Sequence, residues 1–304
     1  MDFAQTKKIA VIVLLALAPV LFMASCDVNE NGDIQSGDAG SGDVGSRSEA
    51  VVIAPGDEAD SDTGVAAPLS PFEALWYYEA ARAGRYDAFA AARPELAPGD
   101  VVWMVDADLD IPAYTDTHEA PDPDSLHVLV NKHFSLPDDY VPADLVDIGA
   151  TMMRAEAAGA MQEMIDAAQE EGLTLWSQSG FRSYGIQVSL YNQYSARDGS
   201  EAADTYSARP GFSEHQTGLT TDLNTITDAF GDTPEGVWVA QNCWRYGYIV
   251  RYTKENTDVT LYKPEPWHMR YIGQGAAAAM RDLGILSFEE YSVKYIEHTP
   301  PGVG

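Results

Sequence analysis

The 304-residue chain carries 47 acidic against 18 basic residues, a formal net charge of −29. A phosphate backbone needs Lys and Arg to neutralise it, so this balance argues against nucleic-acid binding, and the acidic excess by itself serves solubility rather than marking a substrate. With only two cysteines, Cys26 and Cys243, a disulfide framework is excluded and stability has to come from a hydrophobic core.

Lys7 and Lys8 precede an apolar run from Ile9 to Phe22, too short and too close to the start for a typical spanning helix but of the size of a signal peptide. At its end, Met23-Ala24-Ser25-Cys26 resembles a lipoprotein processing site, where cleavage before Cys26 leaves a cysteine that carries lipid. Residues 1–26 are assigned as this signal and lipobox, which implies an extracytoplasmic protein anchored in the membrane through its N-terminal lipid. Residues 27–66 hold ten acidic residues against one basic residue, Arg47, and are rich in Gly and Ser. Such a segment cannot bury a core and reads as a disordered, self-repelling linker.

The folded part follows. Phe72, Leu75, Trp76, Ala80 and Ala83 lie on a helical stripe that predicts a helix over 70–93, interrupted at Gly84, and the apolar run Val101–Val105 predicts a strand. Residues 67–125 are read as an N-terminal accessory segment and residues 126–304 as the catalytic domain. Met152–Glu171 predicts a longer helix closed by Gly172, with Met153, Ala157, Met161, Met164, Ile165 and Ala168 toward the core. Leu173–Ser177 is β-prone, Ile186–Tyr194 reads as a helix, and Arg182 falls in the loop between them, a usual place for a catalytic group. His215 begins the next turn and strand, Asp222 lies on that strand, and Thr260–His268 forms an edge strand returning His268 toward them. These alternations predict an α+β fold and are compatible with an antiparallel sheet with helices packed around it.

Chemistry concentrates in two stretches, Ser213–Asp222 and Glu265–His268. A catalytic zinc site takes three protein ligands from imidazole and carboxylate and keeps a fourth position for water. His215, Asp222 and His268 supply that set, and Glu265, three residues before His268, is placed to take a proton from the water. A serine nucleophile of the Ser-x-x-Lys type is not supported, because the serines near these stretches are not followed by Lys three residues on. Trp267, Tyr271, Tyr248 and Tyr252 read mostly as core.

The pattern Ser-x-His-x-x-Gly-x-x-x-Asp followed by Glu-Pro-Trp-His-x-Arg-Tyr resembles the VanY-type D-alanyl-D-alanine carboxypeptidases and their L,D-carboxypeptidase relatives, zinc peptidases that trim the stem peptide of peptidoglycan. The resemblance extends to Ser179-Gly180-Phe181-Arg182-Ser183, to Val130-Asn131-Lys132 with Leu136–Tyr140, and to Trp244–Tyr252, and covers about residues 95–291. It implies an antiparallel sheet with helices packed around it, Zn2+ held by His215, Asp222 and His268, Glu265 as acid/base, Arg182 on the scissile carbonyl, and Ser213 and Gln187 at the substrate's terminal carboxylate. Thr220 departs from the small apolar residue common in the family two places before the Asp ligand. The implied activity is removal of the C-terminal D-Ala from a stem peptide by a monomeric enzyme. The alternatives are an L,D-carboxypeptidase acting on the tetrapeptide, a wall-binding module that has lost catalysis, and a zinc enzyme acting on another peptide or amide.

Overall fold

The computed structural model describes residues 70–298 together with residues 300 and 301. The signal segment, Cys26 and the acidic linker lie outside the described residues. No helix among the described residues is long and apolar enough to cross a membrane.

The first helices are α1 (Ala83–Ala92) and α2 (Pro98–Asp106). Two expectations are corrected here. Val101–Val105 is helical rather than extended: Pro98 opens α2 with its φ already set for a helix and Asp100 occupies the first turn. Val101, Val102, Trp103 and Val105 are all buried, and a short run apolar on every side has no period by which a strand can be told from a helix. The helix expected over 70–93 is instead a series of turns, one 3-10 turn at Ala80–Arg82, and then α1, with Gly84 inside it. Tertiary contacts divide it. The Tyr86 hydroxyl accepts from the Glu79 amide at 3.2 Å and donates to Asp106 Oδ1 at 2.6 Å, tying the turn to both helices. Phe72, Tyr77, Tyr86 and the α2 residues form an apolar cluster that Val293 completes from far along the chain.

Two small ribbons follow: β1 (His118–Glu119) parallel to β2 (Phe134–Ser135), and β3 (Leu145–Ile148) antiparallel to β4 (Thr151–Arg154). Helix α3 (Ala155–Glu170) ends just before Gly172, as predicted, but starts later than expected because Met152 and Met153 belong to β4. Ala157, Met161, Met164 and Ala168 recur at spacings of three and four and are all fully buried. The chain continues through β5 (Ser177–Ser179), α4 (Tyr184–Asp198), the single turn α5 (Ser200–Ala203), β6 (Thr220–Leu223), α6 (Pro234–Asn242), β7 (Tyr248–Tyr252) and α7 (Thr257–Thr260). It ends with β8 (Glu265–Tyr271), α8 (Gln274–Leu283), α9 (Phe288–Tyr291) and a π-helical turn at Ser292–Glu297. The β-prone Leu173–Ser177 therefore pairs only from Ser177 onward.

The central sheet has the order β5-β6-β8-β7 and is antiparallel throughout. Thus β8 is an inner strand rather than the expected edge, since β7 returns beside it, and Thr260 belongs to a helical turn. Thr221 stands opposite Met269 and Asp222 opposite His268. Because side chains alternate along a strand, Met269 and His268 face opposite sides of the sheet. Met269 joins Met153, Met161, Leu223, Tyr248 and Tyr271 in the main core against α3. Tyr248 also donates to the Ala157 carbonyl at 2.6 Å, and Tyr271 to Glu156 Oε1 at 2.8 Å.

Two glycines separate backbone strain from steric exclusion. Gly149, in the β3–β4 turn, has φ +62° with nothing within 4 Å of an added Cβ, whereas at Gly247 (φ +79°) that Cβ would lie 2.7 Å from the Tyr271 ring and 2.8 Å from the Gln274 amide nitrogen. Gly149→Ala is expected to cost about 1 kcal/mol in urea unfolding and Gly247→Ala more than about 3 kcal/mol, since a left-handed residue costs about 1–2 kcal/mol and a core clash adds to it. Equal costs at the two positions would contradict this packing.

Candidate metal centre and cleft

The extended residue Ser213 leads into a 3-10 turn, Glu214–Thr217, which Gly218 ends in the left-handed conformation at φ +67° before β6 begins. The turn carries His215, β6 carries Asp222, and β8 carries His268 directly opposite it. One donor atom from each of His215, Asp222 and His268 lies within 4.8 Å of the others. The three side chains are nearly inaccessible, at 4%, 4% and 5% exposure.

His215 places Nδ1 2.8 Å from the Gly180 carbonyl, which can only accept, so Nδ1 holds the proton and Nε2 is bare. That bare nitrogen faces Asp222 Oδ2 at 3.5 Å. His268 Nδ1 lies 3.3 Å from Asp222 Oδ1 and 3.4 Å from Glu265 Oε2. Burial and the neighbouring Arg182 hold the His215 imidazole below its usual range, in the neutral form that can give a lone pair to a cation. Burial opposes ionisation of Asp222, but the two imidazoles outweigh it and hold its carboxyl below the usual range. Burial also opposes protonation of His268, yet Asp222, Glu214 and Glu265 around it raise its pKa well above the usual value. Glu265 is pushed up by burial. Asp222 Oδ1 and His268 Nε2 are buried without a hydrogen-bond partner, a condition that calls for an explanation. Two imidazoles and a carboxylate converging with an orphaned oxygen fit a divalent cation of the borderline class.

Arg182 sits just past β5, where its backbone N–H donates to the His215 carbonyl at 3.1 Å. Its Nη1 donates to Gln187 Oε1 at 2.9 Å, and its Nη2 donates to Ser179 Oγ at 3.2 Å and lies 3.8 Å from Asp222 Oδ2. The Gln187 amide in turn donates to the Ala208 carbonyl at 2.7 Å. Gln187 therefore both lines the cleft and fixes the guanidinium to the 207–208 segment. Ser213 lines the same cleft, which has a volume of about 250 Å3 and holds Arg182, Glu265 and the three clustered groups in its wall. Of the four aromatics read mostly as core, Tyr248 and Tyr271 are core, whereas Tyr252 and Trp267 are buried and also face the cleft. The Tyr252 ring centroid is 4.7 Å from that of His268.

Two features escape a reading of the sequence. Behind the site, Glu214 Oε1 accepts from Arg251 Nε at 2.8 Å and from Arg270 Nη1 at 3.1 Å, while the other Arg251 nitrogens donate to Glu289 at 2.7 and 3.0 Å. All four side chains are fully buried. The available signal was strand alternation, which puts Arg270 on the same face as His268. The second feature is Lys132, buried with Nζ donating to the Asp204 and Leu261 carbonyls and 4.1 Å from the Tyr262 ring centroid. It joins the two chain segments that wall the cleft, and burial lowers its pKa to about 8.

The family model for VanY D-alanyl-D-alanine carboxypeptidase matches residues 150–274. The Bacillus subtilis (strain 168) protein YodJ, named provisionally as a carboxypeptidase, is 40% identical over 188 residues, 57% of this chain and 68% of that one. The solved LdcB LD-carboxypeptidase is 38% identical, with a TM-score of 0.56 over 60% of this chain and 93% of its own. A VanY D,D-pentapeptidase variant from a VanB-type vancomycin-resistance cassette, solved with Zn(II), is 31% identical with a TM-score of 0.49 over 56% of this chain and 99% of its own. The family model spans every residue of the clustered site, and with the likenesses to YodJ and LdcB it shows that the chain belongs to the VanY D-alanyl-D-alanine carboxypeptidase family.

Proposed function

We propose that the protein is a zinc-dependent D-alanyl-D-alanine carboxypeptidase that removes the C-terminal D-Ala from peptidoglycan stem peptides. The observation that carries this reading is the convergence of His215, Asp222 and His268 within 4.8 Å, with Glu265 Oε2 3.4 Å from His268 Nδ1. His215, Asp222 and His268 would hold the zinc ion, and their two nitrogens and one oxygen are the donor set of catalytic zinc sites. When bound, zinc supplies Lewis acidity toward water and toward a peptide carbonyl.

The chain's own groups do the rest. Glu265 Oε2 takes the proton from the attacking water and returns it to the leaving amine of D-Ala. Burial raises its pKa, which makes it a stronger base than an exposed carboxylate. The Arg182 guanidinium, anchored by Gln187 and Ser179, stabilises the oxyanion as the carbonyl becomes tetrahedral. Ser213, with the donors around it, receives the substrate's terminal carboxylate, and Gln187 contributes by fixing that wall of the cleft. His215, Asp222 and His268 are nearly inaccessible, so the charges beside them act in a lower dielectric than bulk water. A second reading, cleavage of the L,D bond of a tetrapeptide stem, is supported by the likeness to LdcB.

The proposal extends to location and organisation. Lipid on Cys26 would tether a monomeric enzyme to the outer face of the membrane, residues 27–66 would act as the spacer, and residues 67–125 would support the catalytic part at 126–304.

Glu265→Gln is expected to lower kcat for D-alanine release from a pentapeptide stem by at least about 100-fold, the usual worth of a general acid/base, with zinc content by atomic absorption unchanged. Retention of kcat within tenfold would remove Glu265 from this role. Arg182→Ala is expected to lower kcat by about 100- to 1,000-fold, the magnitude of a lost oxyanion donor, with a smaller change in KM. A change confined to KM would make Arg182 a binding group instead. Running both substrates on the parent enzyme separates the two readings: faster release from pentapeptide supports the D,D bond, and release from tetrapeptide alone supports the L,D bond.

A further inference from the structure

A neutral imidazole has one bare nitrogen, and which nitrogen is bare depends on what the other one donates to. The two histidines of the centre face opposite demands. His215 donates Nδ1–H to the Gly180 carbonyl and turns Nε2 toward Asp222. His268 turns Nδ1 toward Asp222 and Glu265 at the metal position, so once that nitrogen gives its lone pair to a cation, its buried Nε2 has to carry the proton.

We propose that Glu214 is the positioning residue that fixes this proton: its Oε2 receives Nε2–H of His268 and so keeps Nδ1 bare toward the metal position. The inference rests on the metal-centre reading given above. Glu214 Oε2 is 3.5 Å from His268 Nε2, and both atoms are buried with no other hydrogen-bond partner. The other oxygen, Oε1, is taken by Arg251 and Arg270, which orients the carboxylate and leaves Oε2 turned to the imidazole. Arg270 is anchored in turn by donating to the Val128 carbonyl at 2.7 Å and the Leu126 carbonyl at 3.1 Å. Arg251 is anchored by Glu289 at the start of α9, which also accepts from Asn131 at 3.3 Å. The cradle is therefore two carboxylates and two guanidiniums of balanced charge, assembled from four separate stretches of chain. An isolated Glu214 carboxylate could not be kept ionised at full burial, because the desolvation cost would neutralise it. Paired as it is, it stays an acceptor.

Glu289 belongs to the same cradle but does not touch His268, so it distinguishes positioning of the ligand from general support of the fold. Zinc affinity of the full chain would be measured by competition with a chromogenic chelator for the parent, Glu214→Gln and Glu289→Gln, with thermal unfolding of each. Glu214→Gln is expected to weaken zinc binding by about 10- to 100-fold, as loss of an outer partner of a metal-bound His does, and Glu289→Gln by less than threefold, although both lower Tm. Unchanged affinity in Glu214→Gln, or equal weakening in both, overturns the proposal. Should Glu214→Gln not fold, the unmodified protein carries the test: with 15N-labelled histidine and 113Cd, coupling is expected through His215 Nε2 and His268 Nδ1. Coupling through His268 Nε2 overturns the role of Glu214. Failure of the unmodified protein to bind zinc or cadmium at all would instead overturn the metal-centre reading itself.

Discussion

Across the ladder between β6 and β8, Asp222 stands directly opposite His268, and everything chemical in this molecule depends on that register. Side chains alternate along a strand, so a slip of one residue would put Met269 and Thr221 at the centre and send the ligands into the α3 core. The core prevents the slip. Met269 and Leu223 are fully buried on the opposite face, and losing the burial of even one such side chain costs about 1.5–3 kcal/mol. Packing on one side of the sheet thereby sets the geometry on the other.

The electrostatic cost of the centre is met in the same layered way. Asp222 and the two imidazoles are nearly water-free, Glu265 beside them is partly buried, and Glu214, Arg251, Arg270 and Glu289 behind them are wholly buried. Groups of this kind are tolerated only when charge is balanced and hydrogen bonds are directed. Every guanidinium of the cradle meets a carboxylate within 3.1 Å, and Arg270 also donates to the Tyr271, Leu126 and Val128 carbonyls. At the centre itself Asp222 Oδ1 is buried without a hydrogen-bond partner. An unpartnered carboxylate oxygen where two imidazoles converge is what distinguishes a binding centre from an ordinary ion network.

Much of this was legible in the sequence, and the exceptions share a cause. His215, Asp222, Glu265 and His268 could be singled out because residue type and spacing suggest the chemistry and the family pattern around them makes it specific, and the glycine after α3 is a local signal too. The α+β class followed from the same kind of evidence, while the antiparallel sheet with packed helices was what the family resemblance implied. Val101–Val105 misled because an apolar run buried on every side has no period, so its helical state was decided by Pro98 and by packing. Likewise β8 became an inner strand only because β7 pairs with it, a non-local outcome. The Glu214 cradle was hidden for the same reason: Glu214 and Glu289 are 75 residues apart in the chain and meet through Arg251. Gln187 was recognised for its amide, but its double engagement with Arg182 and Ala208 required three segments to be brought together.

The most direct test of this account is D-alanine release from a pentapeptide stem by the purified full chain, followed before chelation, after exhaustive chelation, and after stepwise return of zinc. Release is expected to stop with the chelator and to return in proportion to zinc, saturating at one ion per chain, the stoichiometry of a single three-ligand site. Release that persists in the metal-free protein, or no release from pentapeptide or tetrapeptide at full zinc occupancy, would contradict it.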